Sequence, residues 1–388
     1  LSRETGKPIA QARNEVNALQ GRLEFFLKET PALLAPEAVR DAGGTAEAVT
    51  HEPLGVVLNI SAWNYPYFVG SNVFIPALLT GNAVLYKPSE FAAETGGNIR
   101  RLLLEAGVPA GVFQLLSGGG RVGAWALEEP VDAVFFTGSN ATGLKVAEAA
   151  AKRLIKCQLE LGGKDPVYVA EDVDPAQAAP AVADGAFYNC GQSCCAVERV
   201  YVHEKVYDRF LAAFVAAVKG FKVGDPADPG TYIGPLTRPA QVAVLEAQVK
   251  DAVRRGARLL VGGKRLARPG SWFEPTVLDR CTHAMSLMRE ESFGPVIGLM
   301  KVRSDDEAVR LMNDTTYGLT AGVYTKSRAR AERLLKRVDA GSAYWNCCDR
   351  VSPYLPWSGR RGSGVGLTLS KAGISAFLRP KAWHLRPS

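Results

Sequence analysis

The sequence has few of the residues that bind metal ions. Its four histidines, His51, His203, His283 and His384, lie far apart, and its seven cysteines include no Cys-x-x-Cys pair. Structural zinc sites need four such ligands at short spacing, so we expect no metal site. An odd number of cysteines in a chain of 388 residues argues against a disulfide framework and favours a reducing, cytoplasmic location. Because the chain begins at Leu1 and not at Met, the sequence leaves open whether a targeting segment precedes it.

The chain also lacks a concentrated charge of one sign and a hydrophobic run free of helix breakers. The longest uncharged stretch, between Glu52 and Lys87, could cross a membrane by length, but prolines, glycines and asparagines interrupt it. A buried strand, helix and strand explain it better. The net charge is +7, and the most basic stretch, Arg328–Arg337, alternates with Ala, Leu and Glu like the solvated face of a helix. We therefore expect neither a membrane nor a nucleic-acid partner.

Hydrophobic patterns predict strands and helices that alternate along most of the chain. Residues 8–28 predict a helix, residues 30–50 a connection or an edge hairpin, and residues 352–366 a long loop. The predicted strands are Gly55–Ile60, Val84–Tyr86, Ala133–Phe136, Gln158–Leu161, Pro166–Val169, 197–202, 258–261, 296–302 and Lys381–Arg386. The further predicted helices are Thr142–Ile155, 174–188, 204–218, 238–255 and 305–313. This alternation implies βαβ units, a mostly parallel sheet and an α/β fold.

A turn at the end of the predicted helix 174–188 presents a cysteine. The turn reads Gly191-Gln192-Ser193-Cys194. Most buried cysteines act as small hydrophobic residues, an interpretation that suits Cys157, Cys281, Cys347 and Cys348. It suits Cys194 less well, because a turn of this kind projects its side chain into a crevice. No histidine lies near it in sequence, which disfavours a hydrolase with a Cys–His pair. We interpret Cys194 as a reactive thiol.

Two further patterns carry polar groups at strand ends. Glu160 closes an apolar strand just before two glycines, where an unused carboxylate would be costly to bury, although it could also cap a following helix. The turn Gly138-Ser139 opens a helix, where backbone N–H groups attract phosphate, but alone it is a weak dinucleotide signal. Lys87 and Glu90 follow another strand and suit ribose hydroxyls.

Together these segments resemble the aldehyde dehydrogenase superfamily. Six motifs occur in the family's order and approximate spacing, over essentially the whole chain. They are Ala62-Trp63-Asn64-Tyr65-Pro66, Lys87-Pro88-Ser89-Glu90, Phe136-Thr137-Gly138-Ser139, Glu160-Leu161-Gly162-Gly163-Lys164, the turn ending at Cys194, and Glu290-Glu291-Ser292-Phe293-Gly294-Pro295. The chain departs from the family at Ala62, at Pro356-Trp357-Ser358-Gly359, and in starting later than most members.

The resemblance implies a catalytic sequence for three residues. Cys194 would attack the aldehyde carbon, and Asn64 with the backbone N–H of Cys194 would hold the resulting oxyanion. Hydride transfer to a nicotinamide would leave a thioester on Cys194, and Glu160 would activate the water that hydrolyses it. Family members that pass the acyl group to coenzyme A typically lack this carboxylate, so Glu160 implies a carboxylic acid product.

The resemblance also implies a site for NAD. Lys87 and Glu90 would contact the adenosine ribose, and Glu291 the nicotinamide ribose. Because Glu90 would repel a 2′-phosphate, NADP should serve less well. The implied cofactor residues are Trp63, Lys87, Glu90, Gly138, Ser139, Leu161, Glu291 and Phe293. The implied substrate pocket, suited to an apolar or aromatic aldehyde, consists of Tyr65, Phe68, Tyr188, Cys195 and Trp357.

The expected architecture is a Rossmann-like cofactor domain, an α/β catalytic domain and a small β element for oligomerisation. The cofactor domain would span residues 1–35 and 53–162, and the catalytic domain residues 163–362. The oligomerisation strands would be 36–52 and 378–388, and would give a homodimer or a homotetramer. The alternative is a shortened, catalytically inactive family member with a structural or interaction role.

Overall fold

The computed structural model describes residues 1–387 and has the predicted mixed α/β architecture. Its helices are α1 (Ser2–Thr5), α2 (Ile9–Leu34), α3 (Pro66–Leu79), α4 (Ala93–Glu105), α5 (Gly120–Ala126), α6 (Asn140–Arg153), α7 (Pro175–Phe187), α8 (Tyr207–Lys219), α9 (Pro239–Arg254), α10 (Asp305–Asn313), α11 (Arg328–Leu335) and α12 (Ser370–Ser375). Its strands are β1 (Glu37–Ala42), β2 (Thr45–Pro53), β3 (Val56–Ile60), β4 (Ala83–Lys87), β5 (Phe113–Leu115), β6 (Ala133–Thr137), β7 (Lys156–Glu160), β8 (Asp165–Val169), β9 (Val197–His203), β10 (Arg258–Val261), β11 (Thr276–Asp279), β12 (Val296–Val302), β13 (Thr320–Tyr324), β14 (Ser342–Trp345), β15 (Gly364–Val365) and β16 (Leu378–Leu385).

The chain forms two compact units, which we name after one residue of each. The Cys194 unit consists of Leu1–Asn14, Leu161–Arg350 and Ser358–Gly364. The Glu160 unit consists of Glu15–Glu160, Val351–Trp357 and Val365 to the end of the described chain. The cofactor and catalytic domains remain predictions, because the compactness of a unit does not show what it binds.

The Glu160 unit contains a parallel sheet of the Rossmann type. Within this unit the strand order is β7-β6-β3-β4-β5, and helices connect the successive parallel strands from β3 to β7. Strands covered by helices on both faces are apolar throughout, and Val57, Val84, Phe113 and Phe135 are accordingly buried. Burying one such side chain contributes about 1.5–3 kcal/mol. The sheet therefore gives a rigid frame to the loops at its carboxyl edge.

A second, three-stranded sheet of this unit is exposed. Strand β2 pairs antiparallel with β1 on one side and with β16 on the other. Every residue of β1 is exposed, and β16 is exposed except at Leu378. Two open edges of this kind offer backbone groups to another chain. Strands β1 and β2 form the edge hairpin that was one of the two alternatives predicted for residues 30–50. Ser388, the last residue of the predicted strand 378–388, lies outside the described residues.

The Cys194 unit is built on a seven-stranded sheet. Its order is β10-β11-β12-β9-β8-β13-β14, and all neighbours are parallel except β10 and β11. Helices α7 and α8 pack against each other beside it, with Phe187, Phe210 and Phe214 fully buried. This large core holds the short loops at the amino ends of β8, β9 and β12 in place.

The first long helix is the clearest difference from the sequence prediction. It was expected over residues 8–28, and it runs from Ile9 to Leu34, through Pro31. Proline removes one helical hydrogen bond and usually ends a helix. Here the hydroxyl of Thr30 donates to the carbonyl of Phe26 at 2.7 Å, and both residues are buried. Tertiary packing keeps this turn helical, so the hairpin begins only at Glu37.

Candidate active site

Four predicted site segments of the Glu160 unit lie at one edge of its sheet. Strand register pairs Ile60 with Lys87, and Thr137 with Glu160, at the carboxyl ends of their strands. Asn64 follows the first of these strands and Gly138 follows the third. In open parallel sheets this edge is where ligands bind. The order of the parallel strands therefore places these four motifs at the same edge of the sheet.

Glu160 is a buried carboxylate with three polar partners. It is 6% exposed at the end of β7. One of its oxygens, Oε1, accepts hydrogen bonds from the Thr368 hydroxyl and from Gln158 Nε2 at 3.2 Å. Burial raises the pKa of Glu160 to about 7, against the lowering effect of Thr368, Gln158 and the positive charge of Arg22. A carboxylate with a pKa near 7 can accept a proton and release it again at neutral pH.

The Trp63–Phe68 segment connects β3 to α3. Pro66 begins the helix, a position where its missing N–H is not needed. Asn64 is buried, and the rings of Tyr65 and Phe68 stack at 6.2 Å. The guanidinium of Arg22 lies 4.2 Å above the Phe68 ring and donates to Asn72 Oδ1 at 2.5 Å. A buried cation therefore supports the segment that carries Asn64.

Lys87 and Glu90 form a polar pair after β4. Lys87 Nζ lies 3.8 Å from Glu90 Oε2 and donates to the carbonyl of Pro88 at 2.9 Å. Burial lowers the pKa of Lys87, and Glu90 opposes this effect. Gly119 faces the pair, since a Cβ there would lie 3.8 Å from Glu90 Oε1. The lysine donor, the carboxylate acceptor and the side-chain-free loop are chemically suited to a ribose.

Gly138 and Ser139 lead from β6 into α6. The Gly138 N–H donates to the carbonyl of Glu160 at 3.0 Å. The Ser139 side chain caps the helix by accepting from the backbone N–H of Thr142. A 14-residue helix begins here with its N–H groups at the sheet edge, where they and the helix dipole favour a phosphate.

In the Cys194 unit, three motifs converge at the amino ends of neighbouring strands. Gly162 and Gly163 precede β8, Cys194 precedes β9 and Glu291 precedes β12. These strands are adjacent and parallel in the order β12-β9-β8. A Cβ on Gly163 would lie 2.6 Å from the carbonyl oxygen of Cys194. Only glycine allows this close approach.

The turn that presents Cys194 has an unusual backbone. Asn189, Cys190 and Gly191 all have positive φ, at 53°, 58° and 68°. Two successive non-glycine residues in this region are strained. A Cβ on Gly191 would collide with the main chain of Gly294, so the turn packs tightly against the loop that carries Glu291. The Cys194 side chain itself is partly exposed.

The six other cysteines are poor nucleophiles. Burial raises the pKa of the Cys190, Cys281 and Cys348 thiols to about 12, and it also raises the pKa of Cys157 and Cys347. Cys195 is buried, and its hydrogen bond with Cys194, its burial and the charge of Asp349 hold its pKa well above the usual value. Its sulfur lies 3.0 Å from Asp349 Oδ1. These thiols stay protonated at neutral pH.

Glu291 lies on a loop fixed by a buried ion pair. Its Oε1 accepts from the Gly163 N–H at 3.1 Å. The next two residues donate their backbone N–H groups to the carboxylate of Glu198, which also accepts from Lys164 Nζ at 2.5 Å. Burial, and then the negative charge of Glu198, raise the pKa of Glu291 to about 8.

Leu161, a predicted cofactor residue, is buried. It donates its backbone N–H to the carbonyl of Ser363 at 3.0 Å.

Two predicted pocket residues take part in contacts within their own units. In the Cys194 unit the Tyr188 hydroxyl accepts from Asn14 Nδ2 at 3.2 Å. In the Glu160 unit Trp357 is buried and forms a two-way backbone bridge with Thr368, at 2.8 and 2.9 Å. Their assignment to a substrate pocket remains a prediction.

Several polar neighbours of the candidate site residues were not predicted from the sequence. They are Arg22, Gln158, Glu198, Asp349 and Thr368. Glu198 is marked in the sequence as an acid between the valines of strand β9, which is buried throughout. No sequence pattern marks Thr368, because its partner Glu160 is 208 residues away in sequence.

No group of three or more His, Cys, Asp or Glu within residues 1–387 could hold a metal ion. No helix in the same range is both long and apolar enough to cross a membrane. The described cysteines are all free thiols.

A parallel α/β sheet with a glycine-lined polar pair at its carboxyl edge is typical of an enzyme that binds a nucleotide cofactor. The sequence model of the aldehyde dehydrogenase family matches residues 1–383. The chain belongs to that family. It is an oxidoreductase that acts on aldehydes with a nicotinamide cofactor, and the recognition made from the six motifs is confirmed.

Curated relatives and solved structures agree with this membership. The chain is 37% identical over 389 residues to a succinate-semialdehyde dehydrogenase [NADP(+)] of Deinococcus radiodurans, covering 100% of this chain and 81% of the relative. It is 37% identical to a chloroplastic betaine aldehyde dehydrogenase of Amaranthus hypochondriacus, covering 97% and 77%. An NAD-dependent aldehyde dehydrogenase from Sinorhizobium meliloti superposes with a TM-score of 0.96 at 36% identity, covering 100% and 78%.

Proposed function

We propose that the chain oxidises an aldehyde to a carboxylic acid, with Cys194 as nucleophile, Asn64 as oxyanion donor and Glu160 as general base. The observation that carries this proposal is the buried Glu160, whose pKa of about 7 suits a base at neutral pH. A base of this kind is needed for hydrolysis of a thioester, which supports an acid as product. No finding favours the inactive alternative.

In the proposed reaction, the Cys194 thiolate adds to the aldehyde carbon and the carbonyl oxygen becomes an oxyanion. The Asn64 amide and the Cys194 N–H donate to that oxygen, and each such donor contributes roughly 10²–10³ in rate. A bound nicotinamide cofactor would supply the acceptor for the hydride that leaves the former aldehyde carbon. A thioester then remains on Cys194.

Glu160 acts in the second half. It takes a proton from water as the water oxygen adds to the thioester carbonyl carbon. The carbon–sulfur bond breaks, the carboxylic acid leaves, and the electron pair of that bond restores the thiolate of Cys194. Glu160 then returns its proton to solvent.

The cofactor proposed is NAD, with NADP weaker. Lys87 and Glu90 would hold the adenosine ribose, and Gly138 and Ser139 the pyrophosphate at the start of α6. Glu291 would hold the nicotinamide ribose, with Phe293, Leu161 and Trp63 near the ring. The side-chain-free space at Gly119 beside Glu90 supports this fit. The relatives include an enzyme named for NADP and one named for NAD, so the preference rests on Glu90.

For the substrate we propose an apolar or aromatic aldehyde. The stacked Tyr65 and Phe68 rings support this class, and Tyr188, Cys195 and Trp357 are the other residues proposed to contact the acyl group. The names of the relatives cover both succinate semialdehyde and betaine aldehyde, one anionic and one cationic, so they do not choose a substrate.

We also propose a homo-oligomer, a homodimer or a homotetramer, in which the exposed edges of β1 and β16 pair between subunits. A cytoplasmic location is likewise proposed, on the free thiols alone. Sedimentation of the full chain tests the first idea, with a variant that carries Pro at Ala382 in β16 as comparison. A stable monomer for the parent would contradict it.

The central test compares Cys194→Ser with Cys347→Ser as a matched control. With benzaldehyde and NAD, the parent and the control should form NADH and benzoate, while Cys194→Ser should form neither. Retained turnover in Cys194→Ser, or an alcohol as the product, would refute the proposal.

A further inference from the structure

Backbone pairing between Trp357 and Thr368 holds one threonine in a fixed position beside Glu160. Thr368 is fully buried, and its backbone is tied to Trp357 by two hydrogen bonds, at 2.8 and 2.9 Å. Gly373 packs on it so closely that a Cβ there would lie 2.5 Å from the Thr368 carbonyl carbon. The β-branched side chain has few rotamers in such a site. Its hydroxyl therefore has little freedom to leave Glu160.

The hydroxyl acts together with an amide on the same carboxylate oxygen. Thr368 and Gln158 both donate to Glu160 Oε1, the amide at 3.2 Å, and neither uses Oε2. Gln158 is two residues before Glu160 in β7, so both side chains point to one face of the sheet. Gly366 lies against Gln158, because a Cβ there would be 2.9 Å from the Gln158 Cγ. The two hydrogen bonds thus hold Oε1 of Glu160, and Oε2 accepts neither of them.

One charged group also acts on this carboxylate from another element of the same unit. Arg22 of helix α2 lies buried over Phe68, and its charge favours the ionised form of Glu160. Burial lowers the pKa of Arg22 to about 10, so it remains a cation at neutral pH. Arg22 supplies charge but is not among the hydrogen-bond donors to Glu160. The orientation of the carboxylate is therefore set by Thr368 and Gln158.

We propose that Thr368 is a positioning residue for the general base: its hydroxyl fixes Oε1 of Glu160 so that Oε2 is the oxygen that takes the proton from water. This inference rests on the proposed role of Glu160 in thioester hydrolysis. A hydroxyl that donates to a carboxylate also stabilises the ionised form. Without it, Glu160 turns away from the water and is protonated over more of the neutral range.

The test uses the full chain with Thr368→Val, which keeps the shape and removes the hydroxyl, and Thr368→Ser, which restores it. With benzaldehyde and NAD, Thr368→Val should keep the rapid burst of NADH and lose about tenfold in the steady-state rate at pH 7. The midpoint of its kcat–pH profile should move up by about one pH unit, the size expected for one hydrogen bond to a charged group. Thr368→Ser should return both values towards those of the parent, with KM changed little throughout.

Two outcomes separate this inference from the proposed function. If Glu160→Gln hydrolyses the acyl-enzyme as fast as the parent does, the proposed role of Glu160 is wrong. If Glu160→Gln is slow but Thr368→Val keeps the parent's rate and midpoint, Thr368 does not position the base. Should Thr368→Val fail to fold, Thr368→Ala provides the same measurement, because it removes the hydroxyl from a smaller side chain.

Discussion

Replacing Glu90 by Ser should narrow the preference for NAD over NADP. Glu90 lies directly after β4, 3.8 Å from Lys87 and opposite Gly119, where the proposed adenosine ribose would lie. A 2′-phosphate there would bring like charges together. At an effective dielectric constant near 20, two unit charges at 4 Å repel by about 4 kcal/mol.

The measured effect should be smaller than this value. The Glu90 side chain is 49% exposed, and the Lys87 ammonium partly neutralises it. Solvent screening reduces such a repulsion to about 1–2 kcal/mol, or roughly tenfold in affinity. The serine should also bind the ribose hydroxyls less well, which weakens NAD by several-fold, since one hydrogen bond is worth about 1 kcal/mol.

The assay is kcat/KM with NAD and with NADP for the parent and Glu90→Ser. The control is Glu105→Ser, which removes an exposed carboxylate that pairs with Arg101 at 2.7 Å at the end of α4. We expect the NAD/NADP ratio to fall about tenfold in Glu90→Ser and to stay constant in the control. A parent that prefers NADP, or a ratio unchanged in Glu90→Ser, would refute the reasoning.

Three further predictions concern the thiol, the base and the cofactor loop. Limiting iodoacetamide at neutral pH should label Cys194 first and abolish activity, and earlier labelling of Cys347 with activity retained would contradict this. The parent's steady-state rate should rise with pH around a midpoint near 7, set by the pKa of Glu160. Glu160→Gln should give a burst of NADH followed by a slow steady-state rate that does not depend on pH. The parent's pH profile in that variant would exclude Glu160 as the base. Glu198→Gln should raise the KM for NAD several-fold, because Ser292 and Phe293 lose a charged acceptor. It should also destabilise the fold by up to about 3 kcal/mol, because Lys164 loses the carboxylate of its buried ion pair and keeps only its hydrogen bond to Ser292 Oγ. An unchanged KM and Tm would argue against this loop as a cofactor contact.

The sequence predicted the parts of the site that depend on local pattern. Glu160 stood out because an acid inside an apolar strand is rare without a use, and the structure places it at the end of β7, buried. The Gly138-Ser139 turn was recognised by its place between a strand and a helix, and Ser139 does cap α6. Motif order predicted the family, which is confirmed, and the role proposed for Cys194 follows from that resemblance.

The partners of those residues could not be predicted in the same way. Thr368 and Arg22 act on Glu160 from sequence distances that no local periodicity links, and only the topology brings them to the end of β7. The length of helix α2 was missed for a related reason, because tertiary packing around Phe26 and Thr30 outweighs the local signal of Pro31. Strand boundaries such as β7, predicted as Gln158–Leu161 and observed as Lys156–Glu160, shifted by one or two residues because apolar runs do not mark their own ends.

The burial of Glu160 has a consequence for the stability of the fold. Because burial raises the pKa of Glu160 from its ordinary value of 4.5 to about 7, the folded chain binds its proton more tightly than the unfolded chain does. The free energy of unfolding from this group is therefore highest below pH 4.5 and declines as the pH rises to about 7, by up to about 3 kcal/mol. Thr368, Gln158 and Arg22 oppose this loss, since each favours the ionised form. Thr368, Gln158 and Arg22 therefore limit the rise in the pKa of Glu160. By the same effect they limit the loss of stability that its burial causes near neutral pH.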